Sequence, residues 1–123
     1  MNELIDAVKR SALGQAQSTD NDTITGRYLF TEDFPGFSGH FPGYPILPAV
    51  VQMIAAQCLI EEQRGHELHP VSVHNAKFLQ EIRPGTEILI KCSDCMVKGN
   101  QGGRVEICSE GKIAASFLIT FSE

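Results

Sequence analysis

The stretch that decides the fold is the loop at residues 39–48, which has the sequence GHFPGYPILP. Its three prolines and two glycines make it stiff and irregular, because proline fixes φ and glycine permits turns. Pro48 can occupy the first turn of a helix, and the residues from there to Ile60 are nearly all apolar. We therefore expect a rigid loop that leads directly into a buried helix at residues 48–64, ended by Gly65.

The same loop brings a histidine close to the N-terminus of that helix. A helix N-terminus leaves backbone N–H groups without intrahelical acceptors, and the N–H of Ala49 can polarise a carbonyl oxygen held in the loop. His40 can remove or deliver a proton near neutral pH. The pair predicts a site that acts on a carbonyl compound, whereas the plainer interpretation makes His40 a hydrogen-bonded structural residue.

The rest of the chain predicts one small domain of the α+β class. Residues 2–13 have helical spacing with Gly14 as a stop, and the polar residues 15–22 predict a loop. One central helix wrapped by an antiparallel sheet of about five strands is therefore expected. Alternating apolar side chains place these strands at about residues 24–31, 71–80, 86–97, 103–110 and 113–121.

The composition excludes several classes of protein. With 123 residues, 42% hydrophobic and 20% charged, the chain can fold as one domain without disulfides or metal. The net charge is −5, whereas a nucleic-acid-binding protein usually has an excess of basic residues. The apolar stretch at residues 44–60 is interrupted by prolines and glutamines, so it predicts a core segment and no membrane span. The acidic start of the chain does not resemble a secretory signal, and we expect a cytoplasmic protein.

Four cysteines raise the question of a metal or redox site. Cys92 and Cys95 form a CxxC, which in other settings marks half of a zinc site or a redox pair. Here the pair lies in a predicted strand, where residues three apart point to opposite faces of the sheet. We therefore expect buried or half-buried free thiols in a reducing compartment, and no metal.

The segment at residues 40–49, HFPGYPILPA, resembles the HFPGxPxxPG motif of the hot-dog-fold 3-hydroxyacyl-acyl carrier protein dehydratases, with Ala49 in place of the final glycine. Residues 75–78 (NAKF) and 83–85 (RPG) resemble the family's first strand after the central helix and the turn that follows. The resemblance extends over residues 23–121. It implies a hot-dog fold, in which an antiparallel sheet wraps around one long helix.

The resemblance also implies an activity, a set of site residues and partners. A single hot-dog domain would span residues 1–123, with an N-terminal helix and loop at residues 1–22. The implied reaction dehydrates a 3-hydroxyacyl thioester to a trans-2-enoyl thioester in fatty-acid synthesis, without a cofactor. His40 would remove the α-proton, while the Ala49 backbone N–H polarises the thioester carbonyl. The expected substrate-binding residues lie in the loop and on the helix: Phe41, Gly43, Pro48, Val50, Met53, Ile54 and Gln57.

The implied partners are acyl carrier protein, whose phosphopantetheine arm bears the acyl chain, and a second copy of the chain. Hot-dog domains of this family pair their sheets edge to edge, and residues from both chains form the active-site tunnel. We therefore expect a homodimer or a higher oligomer. Aromatic residues in the irregular segment predict an exposed apolar surface for this contact. They are Phe34, Phe37, Phe41 and Tyr44.

The chain departs from the family at one catalytic position. The family carries Glu or Asp six residues after Pro48, where this chain has Ile54, or Met53 if one residue is skipped. The first carboxylate of the predicted helix is Glu61. Loss of one member of an acid–base pair typically lowers the rate by about 10²–10⁴-fold. Three functions stay open: a dehydratase that relies on His40 or on an acid from elsewhere, a catalytically silent protein that binds acyl chains or acyl carrier protein, and a hot-dog thioesterase.

Overall fold

The structure is a computed structural model that describes residues 2–20, 22–37 and 43–122. Within these ranges the chain forms two α-helices, α1 (Asn2–Arg10) and α2 (Ala49–Arg64), and a short 3₁₀ turn at Pro35–Phe37. The described strands form one antiparallel sheet of six in the order β1-β2-β4-β5-β6-β3. They are β1 (Gln17–Asp20), β2 (Thr23–Leu29), β3 (His69–Phe78), β4 (Glu87–Val97), β5 (Asn100–Ser109) and β6 (Lys112–Ser122). The predicted α+β architecture is confirmed.

Helix α2 has the bounds that its capping residues dictate. Pro48 is the N-cap, with extended backbone, and Gly65 ends the helix in the left-handed conformation with φ 80°. The Gly65 N–H donates to the Glu61 carbonyl at 2.8 Å, so the last turn is closed in the usual way for a glycine cap. The predicted helix at residues 48–64 is therefore confirmed within one residue.

The core lies between α2 and the inner face of the sheet. Along β4 the buried side chains of Ile88, Ile90 and Cys92 alternate with the exposed Leu89 and Lys91, which is the pattern of a sheet with one covered face. On the helix the residues that face the sheet are buried and apolar. They include Val51, Ala55, Ala56, Leu59 and Ile60.

The N-terminal segment differs from the prediction. Helix α1 ends at Arg10, and the following residues run along β2 instead of continuing the predicted helix to residue 13. The Leu13 N–H donates to the Arg27 carbonyl at 2.8 Å, and the Leu29 N–H donates to the Ser11 carbonyl at 2.9 Å. Strand β1 lies in the segment 15–22, for which the sequence predicts a loop. Its residues are all polar and lack the alternation of apolar side chains that predicts a strand, because an edge strand needs no buried face.

The two hairpin turns of the β4–β5–β6 meander also differ slightly from the prediction. Lys98 and Gly99 both have positive φ, as do Glu110 and Gly111. These pairs form the two-residue turns that match the twist of antiparallel strands. Residues 100–102, expected between the two predicted strands, belong to β5 instead.

Candidate active site

A groove of about 330 Å³ lies at the N-terminus of α2. Its walls come from three segments: the end of the proline-rich loop, the first turn of α2, and the end of β3 with the residues that follow it. The lining residues include Leu47, Ala49, Gln52, Phe78, Leu79 and Glu81. The groove therefore lies where the loop enters the helix, the place that the sequence selects for chemistry.

The N-terminus of α2 presents unpaired donors. The Pro48 carbonyl accepts from the N–H groups of Val51 at 3.1 Å and Gln52 at 3.2 Å. The N–H groups of Ala49 and Val50 precede these bonds, and no side chain caps them within the part of the chain that the structure describes. The first turn also holds no acidic residue. The positive end of the helix dipole is thus available to an oxygen atom of a ligand.

Gln52 is a residue that the sequence did not select for the site. Its side chain is only 4% exposed, and its Nε2 donates to the Leu47 carbonyl at 3.2 Å. Its Oε1 is buried and has no hydrogen-bond partner among the residues that the structure describes. The only available signal was a polar residue in the otherwise apolar first turns of the helix. Gln52 sits one turn after Ala49, so both residues contribute to the same wall of the groove.

The helix residues expected to bind substrate fall on two sides of α2. Ala49 lines the groove, whereas Val50 is 51% exposed and Met53 and Ile54 are half-buried against the edge of the core. Gln57 lies toward the other end of the helix, where its Nε2 donates to the Leu68 carbonyl at 3.0 Å and to Glu61 Oε2 at 3.1 Å. In the single chain, Val50, Met53, Ile54 and Gln57 are therefore not among the lining residues of the groove.

The loop residues of the predicted site are described only in part. His40 and Phe41 lie outside the described residues, so the structure gives no distance from the imidazole. Gly43 is exposed with φ 82°, a left-handed conformation that glycine adopts without strain. Pro48 is half-buried as the N-cap of α2.

Tyr44 holds the loop against the rim of the groove. Its hydroxyl donates to Glu81 Oε2 at 2.8 Å, and the Arg83 guanidinium lies 3.7 Å from the centre of its ring. Tyr44 is exposed, as expected. Phe34 and Phe37 are not: both are buried and pack edge to face with centroids 5.7 Å apart. The expectation of an exposed aromatic surface was wrong for these two side chains, because the short 3₁₀ turn directs them into the core.

The CxxC has the structural role that its place in a strand predicts. Cys92 is buried in β4 and Cys95 is half-buried, and all four cysteines of the chain are free. Burial raises the pKa of the Cys92 thiol to about 12, so it is protonated and a poor nucleophile near neutral pH. Nowhere in residues 2–20, 22–37 and 43–122 do three or more His, Cys, Asp or Glu side chains come together as a metal site.

Similar solved structures identify this architecture as a hot-dog fold. The dehydratase heterocomplex ApeI:P from Xenorhabdus doucetiae superposes with a TM-score of 0.73 at 19% identity, covering 89% of this chain and 95% of that one. The Escherichia coli PaaI protein from the phenylacetic acid degradation operon gives a TM-score of 0.70 at 14% identity, covering 100% and 92%. At these identities, the likeness establishes the fold alone.

The family follows from the sequence comparison. The model of the ApeI-like family, described as ApeI dehydratase, matches residues 16–116. The chain therefore belongs to the ApeI-like dehydratase family. None of the helices within the described ranges is long and apolar enough to cross a membrane.

Two curated relatives are also named as dehydratases. The 3-hydroxyacyl-(acyl-carrier-protein) dehydratase FabZ of Bacillus cereus (strain AH820) is 31% identical over 94 residues, which is 70% of this chain. This alignment spans 65% of the length of that relative, just under two thirds. FabZ of Oceanobacillus iheyensis is 30% identical over 111 residues, covering 84% of this chain and 79% of that protein.

Proposed function

We propose that the protein is a dehydratase that converts a 3-hydroxyacyl thioester, carried by acyl carrier protein, to a trans-2-enoyl thioester in fatty-acid synthesis. The observation that carries the proposal is the groove at the N-terminus of α2, in a chain of the ApeI-like dehydratase family. Ala49 lines that groove, and its N–H, for which the described residues offer no acceptor, can hold the thioester carbonyl oxygen. Negative charge develops on this oxygen when the α-proton leaves, so a hydrogen bond there stabilises the transition state.

The proposed proton transfers use His40 twice. Its neutral imidazole removes the α-proton, and the electron pair moves toward the carbonyl oxygen at Ala49. The resulting imidazolium then protonates the 3-hydroxyl group, which leaves as water while the double bond forms. The imidazole returns to its neutral form, so atoms and charge balance without a second acid. The usual carboxylate would supply that second proton, and its absence predicts a slow reaction.

A second candidate function is a chain that binds substrate without turning it over and supports an active partner. Two observations favour it. The position of the missing acid holds the half-buried Ile54, and the first carboxylate of α2, Glu61, already accepts from the Leu68 N–H at 2.8 Å. The solved relative from Xenorhabdus doucetiae is also described as a dehydratase heterocomplex. For a thioesterase we find only the fold as support, and fold alone does not specify function.

We further propose that the protein forms a homodimer through the free edge of β3, in a reducing, cytoplasmic compartment. Strand β3 ends one side of the sheet, and Val71 and Val73 on it are 65% and 38% exposed. Phe78, at the end of the same strand, lines the groove. A second copy paired along β3 would cover these side chains and bring its own loop close to the groove. The free thiols of the chain are consistent with a reducing compartment.

The proposed function is tested by restoring the missing acid. Ile54→Glu is expected to raise dehydration by about 10²–10⁴-fold, because a carboxyl group in this half-buried apolar position has a raised pKa and can act as an acid near neutral pH. His40→Ala is expected to abolish turnover. The assay follows enoyl absorbance and free thiol together, with a 3-hydroxyacyl thioester of acyl carrier protein.

Met53→Glu is the matched control, since it adds the same carboxyl group one residue earlier and is expected to have little effect. A wild type already as fast as Ile54→Glu would mean that another acid serves the reaction. Binding without turnover in every variant would favour the silent protein, and release of free thiol would favour a thioesterase.

A further inference from the structure

Gln52, a lining residue of the groove, has a buried side-chain oxygen to which no described residue donates a hydrogen bond. The contact from Nε2 to the Leu47 carbonyl fixes the orientation of the amide, because only the nitrogen can donate to a carbonyl. The other atom, Oε1, is therefore an acceptor, and it is buried with no donor in the described ranges of the chain. A buried acceptor without a partner is unfavourable, and each such group in a folded protein calls for an explanation.

The groove provides the setting for that acceptor. Gln52 is one of its lining residues, and so is Ala49, one helical turn earlier. Among the described residues, neither the Ala49 N–H nor the buried Gln52 Oε1 has a hydrogen-bond partner, and one turn of α2 separates these two lining residues. The groove also exposes apolar surface from Phe78 and Leu79, and its carboxylate, Glu81, is bonded to the Tyr44 hydroxyl. A neutral ligand with a hydrogen-bond acceptor and a nearby donor satisfies both groups.

We infer that Gln52 Oε1 accepts a hydrogen bond from the 3-hydroxyl group of the acyl chain while the Ala49 N–H bonds its thioester carbonyl. The inference rests on the proposed function, because a 3-hydroxyacyl thioester carries that acceptor and that donor two carbons apart. Gln52 transfers no proton: it positions the leaving hydroxyl and selects for chains that have one. The enoyl product has no hydroxyl, so it loses this bond.

The test measures binding to the full chain with His40→Ala, so that the ligands are not turned over. The probes are 3-hydroxydecanoyl and decanoyl pantetheine thioesters, which differ only in the hydroxyl group, and calorimetry gives both dissociation constants. We expect about a fivefold preference for the hydroxylated probe, the usual net effect of one hydrogen bond. Adding Gln52→Met should reduce the preference to about one, because it weakens binding of the hydroxylated probe more than binding of the decanoyl probe.

Two further variants separate recognition from a structural role. Gln52→Glu is expected to restore the preference, because a buried, protonated carboxyl group still donates to the Leu47 carbonyl and still offers an acceptor. Gln52→Asn keeps a polar amide but shortens the side chain by one methylene, which moves the acceptor away from the ligand. It is expected to lower the preference for the hydroxylated probe, and it provides the test if Gln52→Met folds poorly. Thermal melting of each variant identifies those that fold.

Several results would overturn the inference. One is an unchanged preference in Gln52→Met or Gln52→Asn. Another is an equal loss of affinity for both probes, which would make Gln52 a residue that only shapes the groove. If neither probe binds to His40→Ala or to the unmodified protein, the proposed function itself fails, and this outcome is distinct from binding without a preference.

Discussion

Two buried thiols, Cys58 and Cys92, make the stability of the fold depend on pH in the alkaline range. Burial raises the pKa of Cys58 to about 11 and that of Cys92 to about 12, from the ordinary value of 9.0. Burial also raises the pKa of the Tyr28 hydroxyl. In each case the folded chain retains a proton that the unfolded chain releases earlier. The stabilisation is therefore complete below about pH 9 and is lost as the pH rises toward the folded-state values.

We predict that Cys92→Ala makes the unfolding free energy less dependent on pH above 9. Each thiol of this kind lowers stability by about 1.4 kcal/mol per pH unit between its unfolded and folded pKa values. Urea denaturation at pH 8, 9, 10 and 11 gives the slope. The variant is expected to be less stable at pH 8 because of the cavity, and this difference should shrink as the pH rises, so the slope is the informative quantity. Parallel curves for the two proteins would contradict the prediction.

The strand β5 depends on two adjacent glycines in different ways. At Gly102 a Cβ would overlap the backbone carbonyl of Ile119 on β6, which cannot move without breaking the pairing of the strands. At Gly103 a Cβ would lie 2.9 Å from Ile60 Cδ1, the end of a flexible side chain. We predict that Gly102→Ala lowers the unfolding free energy by about 3 kcal/mol and Gly103→Ala by about 1 kcal/mol. Chemical denaturation of both variants measures the difference, and equal losses would contradict it.

Helix α2 was predictable because its own residues dictate its bounds. Pro48, a long apolar run and Gly65 are local signals, and the structure agrees with them within one residue. Strand β1 has no such signal: its side chains are polar, and its pairing with β2 is a long-range contact. Gln52 was missed for a related reason. The sequence cannot tell whether both polar atoms of a glutamine side chain have hydrogen-bond partners. Only the packed structure shows that Gln52 Oε1 has none among the described residues.

The two edges of the whole sheet differ in chemical character. Strand β1 forms one edge with four polar residues, Gln17–Asp20, and polar edges resist pairing with another sheet. Strand β3 forms the other edge and exposes Val71 and Val73, which favours contact with a second chain. The groove lies at the end of this apolar edge, so the proposed dimer contact and the proposed substrate site would share one side of the molecule.

We predict that charge on this edge separates the proposed dimer. The wild type is expected to have twice the chain mass of 13.5 kDa by light scattering at micromolar concentration. Val71→Lys combined with Val73→Lys should give the monomer mass, because two lysines on each edge repel across an antiparallel pair. Met96→Lys, at an equally exposed apolar position on β4, is the control and should leave the dimer intact. A wild type of 13.5 kDa would refute the dimer. Because the tunnel would need both copies, the monomeric variant should also lose affinity for acyl thioesters.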